Sequence, residues 1–287
     1  MGSWVNFHTH SHFCDGHAAL EDYVKAAIEK QNPALGFSGH SPVPFQTDWN
    51  IQETSFHEYL KEIDRLSSVY ADQIKLYKGL EVDYITGLTG PSTFKPHSLD
   101  YTIGSVHFLG KLDETEYWGF DFSPEYFLKG FRSIYRSDKK LLIRTYYEQI
   151  MEMIQKDAPD IIGHLDLIKK FNSQLKIFDE NEDWYRDQVM EALEVIARSG
   201  CIVEVNTRGF YKGLNDHFYP SQFILEACYK KGIPLTINAD AHNPGEINHS
   251  FQPAAEMLLE IGYRELYVLT NQGWLPKSFD NTGIISY

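Results

Sequence analysis

Apolar side chains recur along the chain in two patterns, one with the period of a helix and one in short continuous runs. The helical pattern begins at Leu20, repeats every three or four residues and ends near Pro33. The same spacing predicts helices at 56–70, 142–156, 184–198, 223–231 and 254–261. Each of these helices has one apolar face, which must pack against another element, so the pattern indicates a layered fold.

Short apolar runs between the helices predict buried strands. They lie at 4–7, 35–38, 74–80, 101–105, 161–163, 201–205 and 235–238, with a last apolar run at 266–269. Strands that alternate with helices indicate a parallel sheet. Six of these seven strands lead into His, Glu or Asp, and polar groups at the carboxyl ends of successive strands are typical of α/β barrel enzymes. Because no helical pattern follows the third strand, we predict a distorted (β/α)7 barrel, similar to a TIM barrel, with the active site at the carboxyl ends of its strands.

The chain is long enough for one large domain, and we assign residues 1–287 to it. An aromatic-rich insertion at about 111–140 interrupts the regular alternation of strands and helices. It either covers the site or is a surface excursion packed by its own aromatic side chains. An apolar content of 43% and a charged content of 23% are ordinary for a soluble globular enzyme.

The net charge of −14 argues against binding to nucleic acid, because phosphate neutralisation needs a basic surface. A small anionic substrate stays possible, since bound divalent metals reverse the local sign of charge. The three cysteines form no CxxC pair, so a reduced, cytoplasmic protein without a zinc ribbon is expected. We expect no membrane partner, because the chain contains neither a signal-peptide pattern nor an apolar run of spanning length.

The first candidate site is the pair His8 and His10, directly after an apolar run. Residues two apart on a strand project to the same side, so both rings can bind one metal ion. Gly16 permits a turn that would return the Asp15 carboxylate to them. Taken alone, the pair is equally well explained as solvated histidines at a strand end.

The same residue types recur at the other strand ends, and this recurrence favours a metal site. Nine residues form the set: His8, His10, Asp15, His40, Glu81, His107, His164, Asp240 and His242. Imidazoles and carboxylates are metal ligands, and nine exceed what one ion needs, so we predict two or three divalent transition ions. Glu81 can bridge two of them, because it has two oxygens and a central position.

Two ions a few ångströms apart can share a water, lower its pKa and bind phosphoryl oxygens. We therefore predict hydrolysis of a phosphoester by a metal-bridging hydroxide, with Glu81, Asp240 and His242 as catalytic residues. The sequence has no G-x-S-x-G elbow for a nucleophilic serine. It has no P-loop or G-x-G-x-x-G after a strand, so nucleotide-cofactor chemistry is not indicated.

The sixth strand leads into Asn206, Thr207 and Arg208, with Lys212 four residues beyond Arg208. A guanidinium presents paired donors that match phosphate oxygens, and a lysine adds a point charge. Arg208 and Lys212 are thus candidate phosphate-binding residues. The alternative for Arg208 is an ordinary surface ion pair.

Six short motifs at the strand ends carry a resemblance to a known family. They are His8-Thr9-His10, Ser38-Gly39-His40-Ser41-Pro42, Gly79-Leu80-Glu81-Val82-Asp83, Gly104-Ser105-Val106-His107-Phe108, Gly163-His164-Leu165-Asp166-Leu167 and Ala239-Asp240-Ala241-His242. Together they resemble the PHP (polymerase and histidinol phosphatase) family, and the third and fourth are most similar to its histidinol-phosphatase branch. The resemblance runs from Asn6 to about Asn243. It implies a distorted seven-stranded barrel with a trinuclear metal site.

The resemblance also implies how the ligands are shared among three ions of zinc, manganese or iron. His8, His10, Glu81 and Asp240 would surround the first; Glu81, His107 and His164 the second; Asp15, His40 and His242 the third. The chain departs from the family in one place: many histidinol phosphatases have a histidine where this sequence has Gly16. Either Asp15 or His17 could complete the third group.

The activity implied by the resemblance is hydrolysis of L-histidinol phosphate to L-histidinol and phosphate, in histidine biosynthesis. One alternative is a phosphoesterase of the same family acting on another small phosphate or on nucleotides. The other alternative is a metal-binding module without catalytic activity.

Overall fold

Six parallel strands form the central sheet of the computed structural model, which describes residues 2–287. The strands of the chain are β1 (Ala34–Phe37), β2 (Lys75–Asp83), β3 (Tyr101–Ser105), β4 (Phe108–Lys111), β5 (Tyr117–Gly119), β6 (Ile161–Ile162), β7 (Ile202–Asn206), β8 (Leu235–Asn238), β9 (Glu265–Thr270), β10 (Gly273–Asp280) and β11 (Gly283–Ile284). The central sheet has the order β1-β2-β3-β6-β7-β8. All its pairings are parallel, as the alternation of strands and helices predicts.

The first predicted strand, 4–7, belongs to an extended segment, residues 4–10, that connects the two edges of this sheet. Asn6 pairs in parallel with Leu35 of β1, and Thr9 pairs in parallel with Ala241, just beyond β8. Each of these pairings is a single bridge and not part of a regular ladder, which explains why the segment is not a full strand. Closure by this segment makes the sheet a distorted barrel, and the predicted fold class is confirmed.

The helices pack outside the barrel with their apolar faces inward. They are α1 (Leu20–Glu29), α2 (Glu53–Val69), α3 (Pro124–Ser133), α4 (Lys139–Asp157), α5 (Asn172–Leu175), α6 (Asp183–Ser199), α7 (Arg208–Tyr211), α8 (Gln222–Lys231) and α9 (Phe251–Ile261). In α4, for example, Leu142, Tyr146, Ile150 and Met153 are buried, at helical spacing. Within residues 2–287, no helix is both long and apolar enough to cross a lipid bilayer.

The structure corrects the predicted end of the third strand. The sequence places that end at Leu80, before Glu81, but β2 continues to Asp83 because Glu81, Val82 and Asp83 pair with β3. The helix missing after this strand is replaced by a 3-10 turn at Pro91–His97. Glu81 therefore lies within the sheet, where regular pairing holds its backbone.

The aromatic insertion forms a hairpin of β4 and β5 followed by α3. Trp118 is fully buried in it, whereas Phe122 is 70% exposed. Between them, Phe120 N–H donates to the His107 carbonyl, which attaches the insertion to the end of β3. The insertion therefore packs on its own aromatic rings and is also joined to the loop after β3.

The last three strands form a second sheet, of order β11-β10-β9. The sequence predicts only part of it, the apolar run at 266–269. In its strand β10 only Phe279 is buried, and the strand contains Pro276, so the apolar pattern is weak. Trp274 packs against Phe7 and Tyr101, with ring centroids 5.1 and 6.1 Å away. Since Tyr101 begins β3, this sheet closes the barrel at the end opposite the strand-end histidines.

Candidate metal centre

The structure brings all nine predicted strand-end residues together at the carboxyl ends of the parallel strands. The extended segment supplies His8 and His10, and Glu81 lies in β2. The other six follow strands or the segment in short loops: Asp15, His40, His107, His164, Asp240 and His242. Eight of them are buried, and Asp15 is half-buried. Convergence of parallel strand ends accounts for the cluster.

In the first group, one carboxylate oxygen of Glu81 and one of Asp240 face the paired histidines His8 and His10. Glu81 Oε2 lies 3.1 Å from His8 Nε2 and 3.4 Å from His10 Nε2. Asp240 Oδ1 lies 3.8 and 3.2 Å from the same two atoms. These four side chains are those that the resemblance assigns to the first ion.

The second group uses the other oxygen of Glu81. Its Oε1 lies 2.8 Å from His164 Nε2 and 3.6 Å from His107 Nε2. Ser105 Oγ also donates to this oxygen, at 2.7 Å. Glu81 thus faces two ligand groups with different oxygens, which is the arrangement a bridging carboxylate needs.

The third group contains Asp15 and not His17. Asp15 Oδ2 lies 3.0 Å from His242 Nε2, and its Oδ1 lies 3.9 Å from His40 Nε2 and 3.4 Å from His10 Nδ1. The side chain of His17 is exposed. The turn depends on Gly16, where a Cβ would come within 2.4 Å of the Ser11 nitrogen.

The cluster fits bound cations, because buried polar atoms in it have no hydrogen bond among residues 2–287 and face other candidate ligand atoms instead. The atoms are His8 Nε2, His10 Nε2, His40 Nδ1, Asp15 Oδ1 and Asp240 Oδ1. Leaving such atoms unpaired is costly in a protein interior. The candidate ligands form four groups of three or four residues. Within each group, the ligand atoms all lie within 4.8 Å of one another, which is close enough for metal coordination.

The charges of the cluster also favour bound cations. Burial would lower the pKa of His8, but the carboxylates of Glu204, Glu81 and Asp240 raise it well above its ordinary value. Surrounding histidines hold the pKa of Glu81 far below its usual range despite its burial. The carboxylates are therefore ionised and attract positive charge, which divalent ions would supply.

The sequence analysis did not identify two carboxylates that lie behind the cluster, Glu204 and Asp83. Glu204 Oε1 lies 2.6 Å from His8 Nδ1, and its Oε2 accepts from the His164 backbone N–H at 2.9 Å. Asp83 Oδ1 lies 2.6 Å from His107 Nδ1. Each carboxylate holds one ring nitrogen, which leaves Nε2 of that ring facing the cluster. Asp83 could also join a ligand group with His40 and His107, but its other oxygen already accepts from Asn50.

Sequence signals for both carboxylates existed. Glu204 is a lone charge in the apolar strand Ile202–Asn206, and among the six strands of the central sheet β7 is the one that neither contains nor leads into any of the nine residues. Asp83 lies two positions after Glu81, on the same side of β2.

Glu204→Gln is expected to weaken zinc binding by about ten- to a hundredfold, because carboxylates behind a ligating histidine are typically worth that much. Competition between the protein and a chromophoric chelator measures the affinity. Glu191→Gln, an exposed substitution in α6, is the matched control. Equal affinities in the two variants would show that Glu204 does not orient His8 for a metal.

Asp240 holds a backbone conformation that non-glycine residues rarely adopt. Its φ is 51°, in the left-handed region, directly after β8. Its carbonyl accepts from Arg208 Nη1 at 2.9 Å, and the neighbouring Ala239 carbonyl accepts from Tyr211 OH at 3.0 Å. These bonds tie α7 to the loop that carries Asp240 and His242.

Glu246 joins this loop to the two candidate phosphate-binding residues. Its carboxylate accepts from the His242 backbone N–H at 2.9 Å, lies 3.4 Å from Arg208 Nη1 and binds Lys212 Nζ. Burial raises the pKa of Glu246, but the contacts with Lys212, the His242 N–H and Arg208 together outweigh burial and lower the pKa to about 2. Arg208 thus forms the ion pair of the alternative interpretation, and it also lines the pocket over the nine clustered residues.

This pocket has a volume of about 370 Å³ and opens over the cluster. Arg208 and Lys212 line it together with Lys170 and Asp121. Positively charged side chains therefore lie beside the candidate ligand groups, and the pocket is large enough for a small phosphorylated molecule.

Comparisons with known proteins agree with this geometry. The family model of the PHP domain matches residues 6–208. The chain is 30% identical to the probable histidinol-phosphatase of Deinococcus radiodurans over 270 residues, 92% of this chain and 96% of that protein. It is 27% identical to the histidinol-phosphatase of Bacillus subtilis, over 87% of this chain and 97% of that one.

A solved structure has the same fold. It is the histidinol phosphate phosphatase of Lactococcus lactis, complexed with zinc, L-histidinol and phosphate. The two structures match over 100% of both chains with a TM-score of 0.69 and 22% identity. The family model covers more than half of this chain, and the chain therefore belongs to the PHP domain family.

Proposed function

We propose that this chain is a metal-dependent phosphomonoester hydrolase that converts L-histidinol phosphate and water to L-histidinol and phosphate. The proposal of a metal-dependent hydrolase rests on one observation. Nine imidazoles and carboxylates form a cluster that contains buried atoms without hydrogen bonds, and lysine and arginine side chains line the pocket beside it. The choice of substrate is supported by relatives named histidinol-phosphatase that match this chain over most of its length. Its three free cysteines fit the cytoplasm, which we propose as its location.

The proposed ligands are the three groups described above, holding two or three ions. His8, His10, Glu81 and Asp240 would bind the first, Glu81, His107 and His164 the second, and Asp15, His40 and His242 the third. Zinc is the first candidate, since the Lactococcus lactis structure contains it, and manganese and iron suit the same ligands. Bound divalent ions would lower the pKa of water and neutralise phosphoryl oxygens.

The protein residues prepare this chemistry in three ways. Glu204 and Asp83 fix the ring orientations of His8 and His107. Arg208 and Lys212 offer positive charge to the phosphate from the two ends of α7, which follows β7. Glu81, Asp240 and His242 are the proposed catalytic residues, because each belongs to a ligand group beside the pocket.

The competing proposal is a PHP phosphoesterase for nucleotides or another small phosphate. Phosphate release from a panel containing L-histidinol phosphate, nucleoside monophosphates and sugar phosphates separates the two. We expect kcat/KM for L-histidinol phosphate to exceed the others by at least about a hundredfold, the selectivity that a few added polar contacts provide. Preference for a nucleotide would refute the proposed substrate, and no turnover of any phosphate by metal-replete protein would favour a non-catalytic module.

Arg208→Ala is expected to reduce kcat/KM by about ten- to a hundredfold while metal content is unchanged, because a charged contact to phosphate is lost. Arg208→Lys should recover only part, since the two-pronged geometry is absent. Steady-state kinetics and metal analysis on the same preparations measure both effects. Wild-type kinetics in Arg208→Ala would mean that Arg208 serves only its ion pair with Glu246.

A further inference from the structure

Asp121 is a carboxylate that the aromatic insertion places in the wall of the active-site pocket. It follows β5 and lies next to Phe120, which is fully buried and hydrogen-bonded through its backbone to His107. The Phe120 ring also packs edge-on against Tyr146 of α4, with centroids 5.6 Å apart. The backbone beside Asp121 is therefore held firmly next to the metal cluster.

The Asp121 carboxylate has only part of its hydrogen-bonding capacity in use. Lys170 Nζ donates to Oδ2 at 3.0 Å, and within residues 2–287 no other hydrogen bond reaches this side chain. The side chain is 22% exposed, toward the pocket that it lines. Burial raises its pKa, but Lys170 and His107 outweigh burial and lower it, so the group is ionised. One oxygen is free to bind a cation.

The charges of the pocket are separated along the sheet. Lys212 and Arg208 follow β7, Lys170 follows β6, and Asp121 follows the hairpin that extends β3. In the sheet order β6 lies between β3 and β7, so Asp121 follows a strand on one side of β6 and Arg208 and Lys212 follow a strand on its other side. Among the described residues that line the pocket, it is the one carboxylate outside the proposed ligand groups.

We propose that Asp121 binds the ammonium group of the substrate and so selects phosphomonoesters that carry an amine. This inference rests on the proposed function, since L-histidinol phosphate has a phosphate at one end and a primary amine beside it. At neutral pH an amine with a pKa of about 7.7 or higher is mostly charged, whereas an imidazole with a pKa of about 6.5 is mostly neutral. The amine is therefore the group that a carboxylate distinguishes.

The alternative role for Asp121 is to hold Lys170 in place. That role acts through the lysine, so its loss would affect every phosphorylated substrate alike. Binding of the ammonium group affects only substrates that have one. Two substrates that differ in the amine alone therefore separate the roles.

The test compares L-histidinol phosphate with 3-(imidazol-4-yl)propyl phosphate, which has the same ring and phosphate but no amine. For Asp121→Asn we expect kcat/KM to fall by about ten- to a hundredfold on L-histidinol phosphate, the usual effect of losing a hydrogen bond between charged groups. On the analogue it should stay within about twofold of wild type, which also shows that the variant is folded. Glu125→Gln, at an exposed position nearby in α3, is the matched control.

The outcomes are distinguishable. Loss of discrimination between the two substrates in Asp121→Asn alone supports the inference. Equal losses on both substrates, or no loss on either, overturn it while the proposed function stands. Failure of the wild-type protein to hydrolyse L-histidinol phosphate would refute the proposed function itself, and the inference with it.

Discussion

Glu81→Gln is expected to remove more than one metal ion per chain and to lower kcat by at least about a hundredfold. The structural reason is that its two carboxylate oxygens face different ligand groups, Oε2 toward His8 and His10 and Oε1 toward His164. An amide keeps the shape but replaces one oxygen by a donor, which repels a cation. Even residues behind the ligands change activity by about 10- to 100-fold, so a shared ligand should cost at least as much.

Inductively coupled plasma analysis of the purified variant measures this effect directly, with the wild type prepared in parallel. The matched comparison is Glu204→Gln, which changes a carboxylate behind the cluster to the same amide. Glu204→Gln should weaken binding without removing the ions at saturating metal. If Glu81→Gln lost one ion or none, Glu81 would not be the bridging ligand.

Asp240→Asn and His242→Ala are each expected to lower kcat by at least about a hundredfold, since each removes a group that assembles the metal site. Asp240 Oδ1 lies 3.2 Å from His10 Nε2, and His242 Nε2 lies 3.0 Å from Asp15 Oδ2. Both residues also line the pocket. Steady-state phosphate release at saturating metal measures kcat.

The control for this pair is His57→Ala, because His57 is exposed on α2, outside the ligand groups. It should retain wild-type kcat within about twofold, as surface substitutions usually do. Comparable losses in His57→Ala and His242→Ala would show that strand-end histidines have no special part in the reaction.

The barrel and the cluster could be predicted from the sequence because both depend on local patterns. Apolar runs mark the strands, and in a parallel sheet their carboxyl ends meet at one edge. A polar residue just after each run, such as His40 or His164, is therefore placed without knowledge of tertiary contacts. At Glu81 the residue was placed in the cluster but the strand end was wrong, because pairing with β3 extends β2 to Asp83.

The residues that surround the cluster depend on contacts between distant parts of the chain, and local patterns do not encode these. Glu246 lies in the loop after β8 and contacts α7, and Asp121 lies in the insertion and contacts Lys170. The C-terminal sheet is a similar case, because its Pro-containing strand β10 has no strong apolar run. Its packing on Phe7 becomes visible only in the folded chain.

Turnover of L-histidinol phosphate by metal-free protein, before and after titration with zinc, manganese or ferrous iron, tests the central claim most directly. The cluster of nine candidate ligands predicts no phosphate release after chelation and recovery that saturates at two or three bound ions per chain. The three groups around Glu81 Oε2, Glu81 Oε1 and Asp15 are the structural basis of that stoichiometry. Full activity in the stripped protein, or no activity after every metal has been restored, would contradict the account.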